Sequence, residues 1–197
     1  MKKNLLFVAL LCLSTSAFSQ KFQLGVKGGV NVSNYTGGDV KTKSLIGFHA
    51  GGLVNFLFGK NFSVQPELIF SSQGATYTNA GTKTNLKVSY INMPVMLKLK
   101  FNGGIYIEAG PQVGFKTTED YDNPNQSVKK FASNLDFSVG IGLGYHNKSG
   151  IGIGARYMAG ISKVGDIKSE GINVVNKSDL KNSVIQVGLF FTIFNNK

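Results

Sequence analysis

Ser183-Val184-Ile185-Gln186-Val187-Gly188-Leu189-Phe190-Phe191-Thr192-Ile193 alternates with a period of two. Its odd positions are Ser183, Ile185, Val187, Leu189, Phe191 and Ile193. Of the even positions between them, Gln186, Gly188 and Thr192 are polar or glycine, and Val184 and Phe190 are not. Successive side chains of a strand point to opposite faces. Such a stretch can therefore set one face against lipid and the other against a polar lumen.

Working outward, seven more stretches share the pattern. Phe22–Asn34 places Phe22, Leu24, Val26, Val30 and Val32 against Gln23, Gly25, Lys27, Gly29, Asn31 and Ser33. Ile46–Phe58 places Phe48, Ala50, Val54, Phe56 and Phe58 against Gly47, His49, Gly51 and Asn55, with Leu53 and Leu57 as exceptions. A third strand begins at Phe62 and sets Val64, Leu68 and Phe70 against Ser63, Gln65, Glu67, Ser71 and Gln73. In Leu86–Lys100 the apolar parity changes from Leu86 and Val88 to Ile91, Met93, Val95, Leu97 and Leu99, which predicts a bulge near Ser89–Ile91. Strands five, six and seven alternate over Ile105–Phe115, Asn134–Tyr145 and Ile151–Gly160.

The connections alternate too. Short turns at Gly59–Asn61, Asn102–Gly104 and His146–Gly150 follow strands two, four and six. Longer polar loops, Tyr35–Ser44, Gly74–Asn85, Thr117–Ser133 and Ser162–Asn182, follow strands one, three, five and seven. This order predicts an all-β protein: an eight-stranded antiparallel up-and-down transmembrane β-barrel with both termini in the periplasm and the long loops outside. Pro66, Pro94 and Pro111 fall inside predicted strands, where proline costs a ladder hydrogen bond, so local bulges are expected there.

The N-terminus reads as a secretory signal. Lys2 and Lys3 precede an apolar run, Leu5–Leu13, and Ala17-Phe18-Ser19 offers a small-x-small cleavage site. The expected organisation is a signal peptide over residues 1–19 and an outer-membrane barrel domain over residues 20–197. The apolar run is shorter than the about 20 residues of a spanning helix. Cys12, the only cysteine, lies within it, so the mature chain has no thiol chemistry. Losing Lys2 and Lys3 lowers the formal net charge from +11 to +9. Solvated loop lysines account for such an excess, and so does attraction to outer-leaflet glycolipid phosphates. An exported barrel is not expected to meet nucleic acid. Its expected partners are outer-membrane lipid and glycolipid, with the barrel assembly machinery during biogenesis.

Periodicity does not say which face points inward, and a soluble lipocalin-like barrel would put its apolar face inside. Glycines decide the matter. Gly25, Gly29, Gly51, Gly110, Gly140, Gly142, Gly144, Gly152 and Gly154 share the polar face, where small residues suit a crowded lumen. Phe22, Phe58, Phe62, Tyr145 and Phe191 stand near strand ends on the apolar face, as interfacial girdles do. The polar face also carries Lys27, Lys98 and Arg156 with Glu67, Glu108 and Asp136. Three charges of each sign predict a paired lumen network with a structural role, because an unpaired buried charge is costly.

Four segments, Pro66-Glu67-Leu68-Ile69-Phe70, Tyr90-Ile91-Asn92-Met93-Pro94, Ile107-Glu108-Ala109-Gly110-Pro111-Gln112 and Ala155-Arg156-Tyr157, give the chain a resemblance to the PorT-like family of outer-membrane β-barrel proteins. The resemblance spans almost all of the mature chain. It implies an eight-stranded barrel with recurrent strand prolines, and it leaves the molecular task open. Asn92 stands where the family often has an acidic residue. The ending Gln186-Val187-Gly188-Leu189-Phe190-Phe191-Thr192-Ile193 is similar to the signal read by the barrel assembly machinery.

Catalytic chemistry is thinly represented. There are two histidines: His49, expected in the lumen, and His146, expected in a periplasmic turn. No metal-ligand spacing, nucleophile elbow or phosphate loop occurs, so no catalytic residue, metal or cofactor is expected. Some eight-stranded barrels modify lipid A, and His49 with Ser44 is the one pair that would suit such an enzyme. A non-catalytic structural or interaction role through the outer loops is the main expectation. Lipid A modification and an accessory role in secretion are the alternatives.

Overall fold

The computed structural model describes residues 21–37, 42–79, 82–121, 133–162 and 180–193. The signal segment, and most of the loops expected around residues 122–132 and 163–179, lie outside the described residues. Eight strands follow in chain order: β1 (Lys21–Thr36), β2 (Thr42–Phe58), β3 (Phe62–Asn79), β4 (Thr82–Lys100), β5 (Ile105–Tyr121), β6 (Leu135–His146), β7 (Ile151–Gly160) and β8 (Lys181–Thr192). Each pairs antiparallel with its chain neighbours. β8 pairs back onto β1, so the sheet closes and leaves no edge.

The register fixes the shape. From Lys21 the paired residues lead through Leu57, Ser63, Lys98, Glu108, Gly142, Arg156 and Gln186 back to β1 at Asn31, ten residues further along. A stagger of this size in an eight-stranded barrel tilts the strands by about 40°. A side chain's height in the lumen therefore depends on both its strand and its position along that strand.

The apolar face points outward. Ile141 is 65 % exposed, Leu189 60 % and Val26 52 %, while Glu67, Gln65 and Asn31 on the opposite parity are buried. An outward apolar belt around a polar interior is the lipid-facing arrangement and the inverse of a soluble barrel. The short turns use glycine where the backbone needs a positive φ, at Gly59 (77°), Gly103 (89°) and Gly150 (93°).

Three expectations are corrected. First, β4 does not switch faces: Leu86, Val88, Tyr90, Asn92, Met96 and Lys98 are all buried on one parity. The register shift at Ser89/Tyr90 is real, but the extra residue is Thr117 on β5, because Ser89 pairs Thr118 and Tyr90 pairs Lys116. Thr117 Oγ1 donates to Ser89 O at 3.1 Å across this bulge. Second, the segment expected as the loop Gly74–Asn85 is mostly strand, with β3 running to Asn79 and β4 starting at Thr82. Thr76 Oγ1 donates to Asn85 Oδ1 at 2.7 Å across that hairpin. β5 likewise runs on to Tyr121. The ladder pairing continues from Gly74↔Lys87 to Asn79↔Thr82, although the sequence there has no apolar alternation to announce a strand. Third, the strand prolines form no bulges. Pairing lapses beside each of them, between Leu53↔Glu67 and Phe56↔Val64, Pro66↔Val95 and Ile69↔Asn92, and Pro94↔Gln112 and Leu97↔Ala109, with the register unchanged. A missing N–H removes one ladder bond without adding a residue.

Candidate functional site

Charged side chains from five strands converge in the lumen. Arg156 on β7 is its centre. Its Nη1 and Nη2 donate to Glu67 Oε2 and Oε1 at 3.0 and 2.8 Å, and its Nε donates to Glu108 Oε1 at 2.8 Å. The planar fork thus takes one carboxylate with two parallel bonds and a second from the side. Lys27 Nζ lies 3.1 Å from Glu67 Oε2, and Lys98 Nζ lies 3.3 Å from Glu108 Oε2. Gln65 Nε2 donates to Glu67 Oε1 at 2.6 Å. Five strands, β1, β3, β4, β5 and β7, are strapped together across the barrel interior.

Local sequence makes this geometry possible. Lys98, Glu108, Gly142, Arg156 and Gln186 lie on one continuous rung. Gly142 stands between Glu108 and Arg156, and a Cβ there would come within 2.9 Å of Glu108 Oε1. The glycine therefore clears the path for the ion pair. Of the six residues expected to form the network, Lys27, Glu67, Lys98, Glu108 and Arg156 are brought together. Asp136 is not. It faces the lumen nearer the loop end and accepts a hydrogen bond from Ser162 Oγ at 3.1 Å. The cluster therefore holds three cations and two carboxylates, not three of each.

Beneath the charges, toward the short turns, lies an aromatic plug that the alternation alone does not announce. Leu53, Tyr106 and Phe190 form a buried cluster, with the two rings 6.2 Å apart and edge-on. Lys98 Nζ sits 4.1 Å from the Tyr106 ring centre and 4.9 Å from that of Phe190, so the ammonium caps both faces. Gly144, Gly152 and Gly154 leave the space these rings fill, since a Cβ on any of them would run into Tyr106 or Phe190. His146 is not a free turn residue. It ends β6, is buried, and packs its ring 5.0 Å from Phe190.

Above the charges the lumen is polar and then apolar. His49 Nδ1 shares a 2.8 Å hydrogen bond with Asn31 Oδ1, and Asn31 Nδ2 donates to Ser71 Oγ at 3.0 Å. Leu86, Val88, Ala75 and Leu180 are buried toward the loop end. His49 is 1 % exposed, whereas Ser44 stands exposed on β2, so the two do not form a site open to lipid. Among the described residues no three His, Cys, Asp or Glu side chains are grouped to hold a metal. A cavity of about 10 Å³ beside Lys27, Lys98, Glu108 and Gln186 has the room of a single water. The arrangement ties strands together across the lumen, with Glu67, Lys98, Glu108 and Arg156 all buried.

Solved structures share this architecture. Neisserial surface protein A is similar with a TM-score of 0.55 and 10 % identity over 86 % of this chain and 97 % of its own. OprG from Pseudomonas aeruginosa matches with a TM-score of 0.51 and 11 % identity over 88 % and 97 %. Ail of Yersinia pestis matches with a TM-score of 0.50 and 14 % identity over 88 % and 99 %. At these identities the likeness shows the fold alone. No curated protein sequence matches the chain. The family model described as "Outer membrane protein beta-barrel domain" matches residues 18–166, which include β1 to β7. With that match, the closed eight-stranded sheet and the outward apolar belt together, the chain belongs to the outer membrane protein β-barrel domain family and is an integral outer-membrane barrel.

Proposed function

We propose that this protein is a non-catalytic outer-membrane barrel whose task is carried by its loop end, with the lumen serving as a sealed structural core. Within its family it is read as a PorT-like member exported by a cleaved signal peptide. The observation that carries the reading is the lumen itself. A five-residue ionic cluster and the Leu53–Tyr106–Phe190 plug lie in series across it. Recognition is assigned to the rim at the loop end, where Lys43 and Lys181 are exposed on β2 and β8. Such cations suit phosphate or sulfate groups of surface glycans and glycolipids. Ail, a fold neighbour, was solved in complex with the heparin analogue sucrose octasulfate, which supports polyanion recognition as the chemistry to test first.

The test uses intact cells. A photo-crosslinker at Lys43 or Lys181 is expected to capture outer-leaflet glycolipid or a surface macromolecule. One at Lys60, on the opposite end, is expected to capture neither. A lipid A mass spectrum that changes on deletion of the gene would sink the non-catalytic reading in favour of a lipid A-modifying enzyme. Unchanged lipid A with a depleted secreted proteome would favour an accessory role in secretion.

A further inference from the structure

The short-turn end carries a charge pattern that neither the lumen nor the loop end uses. Lys21 opens β1, Lys60 lies in the β2–β3 turn, Lys100 closes β4 and Lys148 lies in the β6–β7 turn. Among the described residues this end has no acidic side chain. Glu67, Glu108 and Asp136 face the lumen, and Glu119 and Asp120 stand at the opposite end of β5. Among the described residues the charge at this end is therefore of one sign.

Each lysine sits within three residues of an outward aromatic ring. Lys21 adjoins Phe22, Lys60 lies between Phe58 and Phe62, Lys100 adjoins Phe101, and Lys148 follows Tyr145. Phe22, Phe58, Phe101, Tyr145 and Phe191 are each 40–51 % exposed, and the Phe58 and Phe62 rings lie 6.0 Å apart. Outward aromatic rings at strand ends mark the depth of the membrane interface. They place the lysines at the level of lipid phosphates.

The rim is also held in place. Lys100 N donates to Asn61 O at 2.7 Å, His146 N to Gly104 O at 2.8 Å and Thr192 N to Gly150 O at 2.9 Å. Successive turns are thus stitched to the neighbouring strands around this end. The cations stand on a fixed ring and not on independent loops.

We infer that this aromatic-backed lysine collar binds the phosphates of anionic phospholipids in the leaflet at the short-turn end, which in bacterial outer-membrane barrels faces the periplasm. Lysine attracts anionic headgroups near a membrane surface, and the rings beside it bury against the acyl boundary of the same lipid. The fixed spacing makes this a lipid-selective belt, separate from polyanion recognition at the loop end.

Native mass spectrometry of the refolded barrel, supplied with equal phosphatidylglycerol and phosphatidylcholine, tests the inference. Retained phosphatidylglycerol is expected to exceed phosphatidylcholine by about fivefold for each lysine engaged. The variant with Lys21, Lys60, Lys100 and Lys148 all changed to Gln should lose the preference. The variant with Lys43, Lys87 and Lys181 changed to Gln should keep it. If the fourfold variant does not refold, the pairs Lys21→Gln with Lys60→Gln and Lys100→Gln with Lys148→Gln should each lose part of it. Equal retention of the two lipids by the wild type would overturn the proposal. So would a preference that follows the loop-end lysines, or one abolished equally by millimolar inorganic phosphate and by lipid.

Discussion

At the scale of single residues, the lumen cluster sets up an inequality. Glu67 is fully buried and receives Arg156 through two bonds, Lys27 and Gln65, whereas Lys27 pairs with Glu67 and keeps some solvent exposure. With three cations against two carboxylates, losing a carboxylate leaves two uncompensated buried positive charges, and losing a cation leaves a neutral set. Breaking a buried pair by removing one partner costs about 3–5 kcal/mol when it strands a charge. Glu67→Gln is expected to destabilise the barrel by that amount. Lys27→Met is expected to stay within about 1 kcal/mol, since the charge it removes is the surplus one. Urea unfolding of the two variants in lipid vesicles gives the comparison, and equal losses would show that the surplus charge is neutralised by other groups. Period-two parity made Lys27, Glu67, Lys98, Glu108 and Arg156 legible as lumen residues. It also included Asp136, wrongly grouped with them, because parity reports which face a residue occupies and not its height. Height is set by the ten-residue stagger, which depends on pairings between strands that alternation within one strand does not encode.

At the scale of elements, alternation reads well where one face meets lipid and poorly where neither does. β7 and β8 were legible almost to their ends, because Ile151, Ile153, Tyr157, Ile185, Val187 and Leu189 hold the outward face without interruption. β4 misled because Leu86 and Val88 are apolar and yet inward, filling the lumen toward the loop end. An apolar residue on the inner face looks, in sequence, like a change of face. The observed bulge lies on β5 at Thr117 and leaves β4 continuous. This distinction is measurable. A nitroxide attached at Lys87 is expected to give a mobile spectrum. One attached at Val88 is expected to be immobilised and shielded from dissolved oxygen. Equal oxygen access at the two sites would return Val88 to the outward face and revive the parity switch. The prolines carry the same lesson: Pro66, Pro94 and Pro111 each remove one donor, and the neighbouring ladder bonds hold the register across the gap.

At the scale of the whole molecule, strand number and stagger leave an interior only wide enough for side chains to fill. Two barriers occupy it in series. The lower one is apolar, formed by Leu53, Tyr106 and Phe190 over the glycines that admit them. The upper one is ionic, and Arg156 links β7 to both β3 and β5 within it. An ion crossing the barrel would have to shed its water at the first and displace paired charges at the second. Opening one barrier leaves the other intact. The wild-type barrel in a planar bilayer is therefore expected to show no steady conductance. The variant Phe190→Ala, which removes one ring of the plug, is expected to remain closed, because the Arg156 pairs with Glu67 and Glu108 above it remain. Combining Phe190→Ala with Arg156→Ala removes a member of each barrier, and small, flickering currents are expected from that protein alone. Steady, ion-selective current from the wild type would show that the lumen is a filter and not a seal, and it would move the protein's task from the rim to the interior.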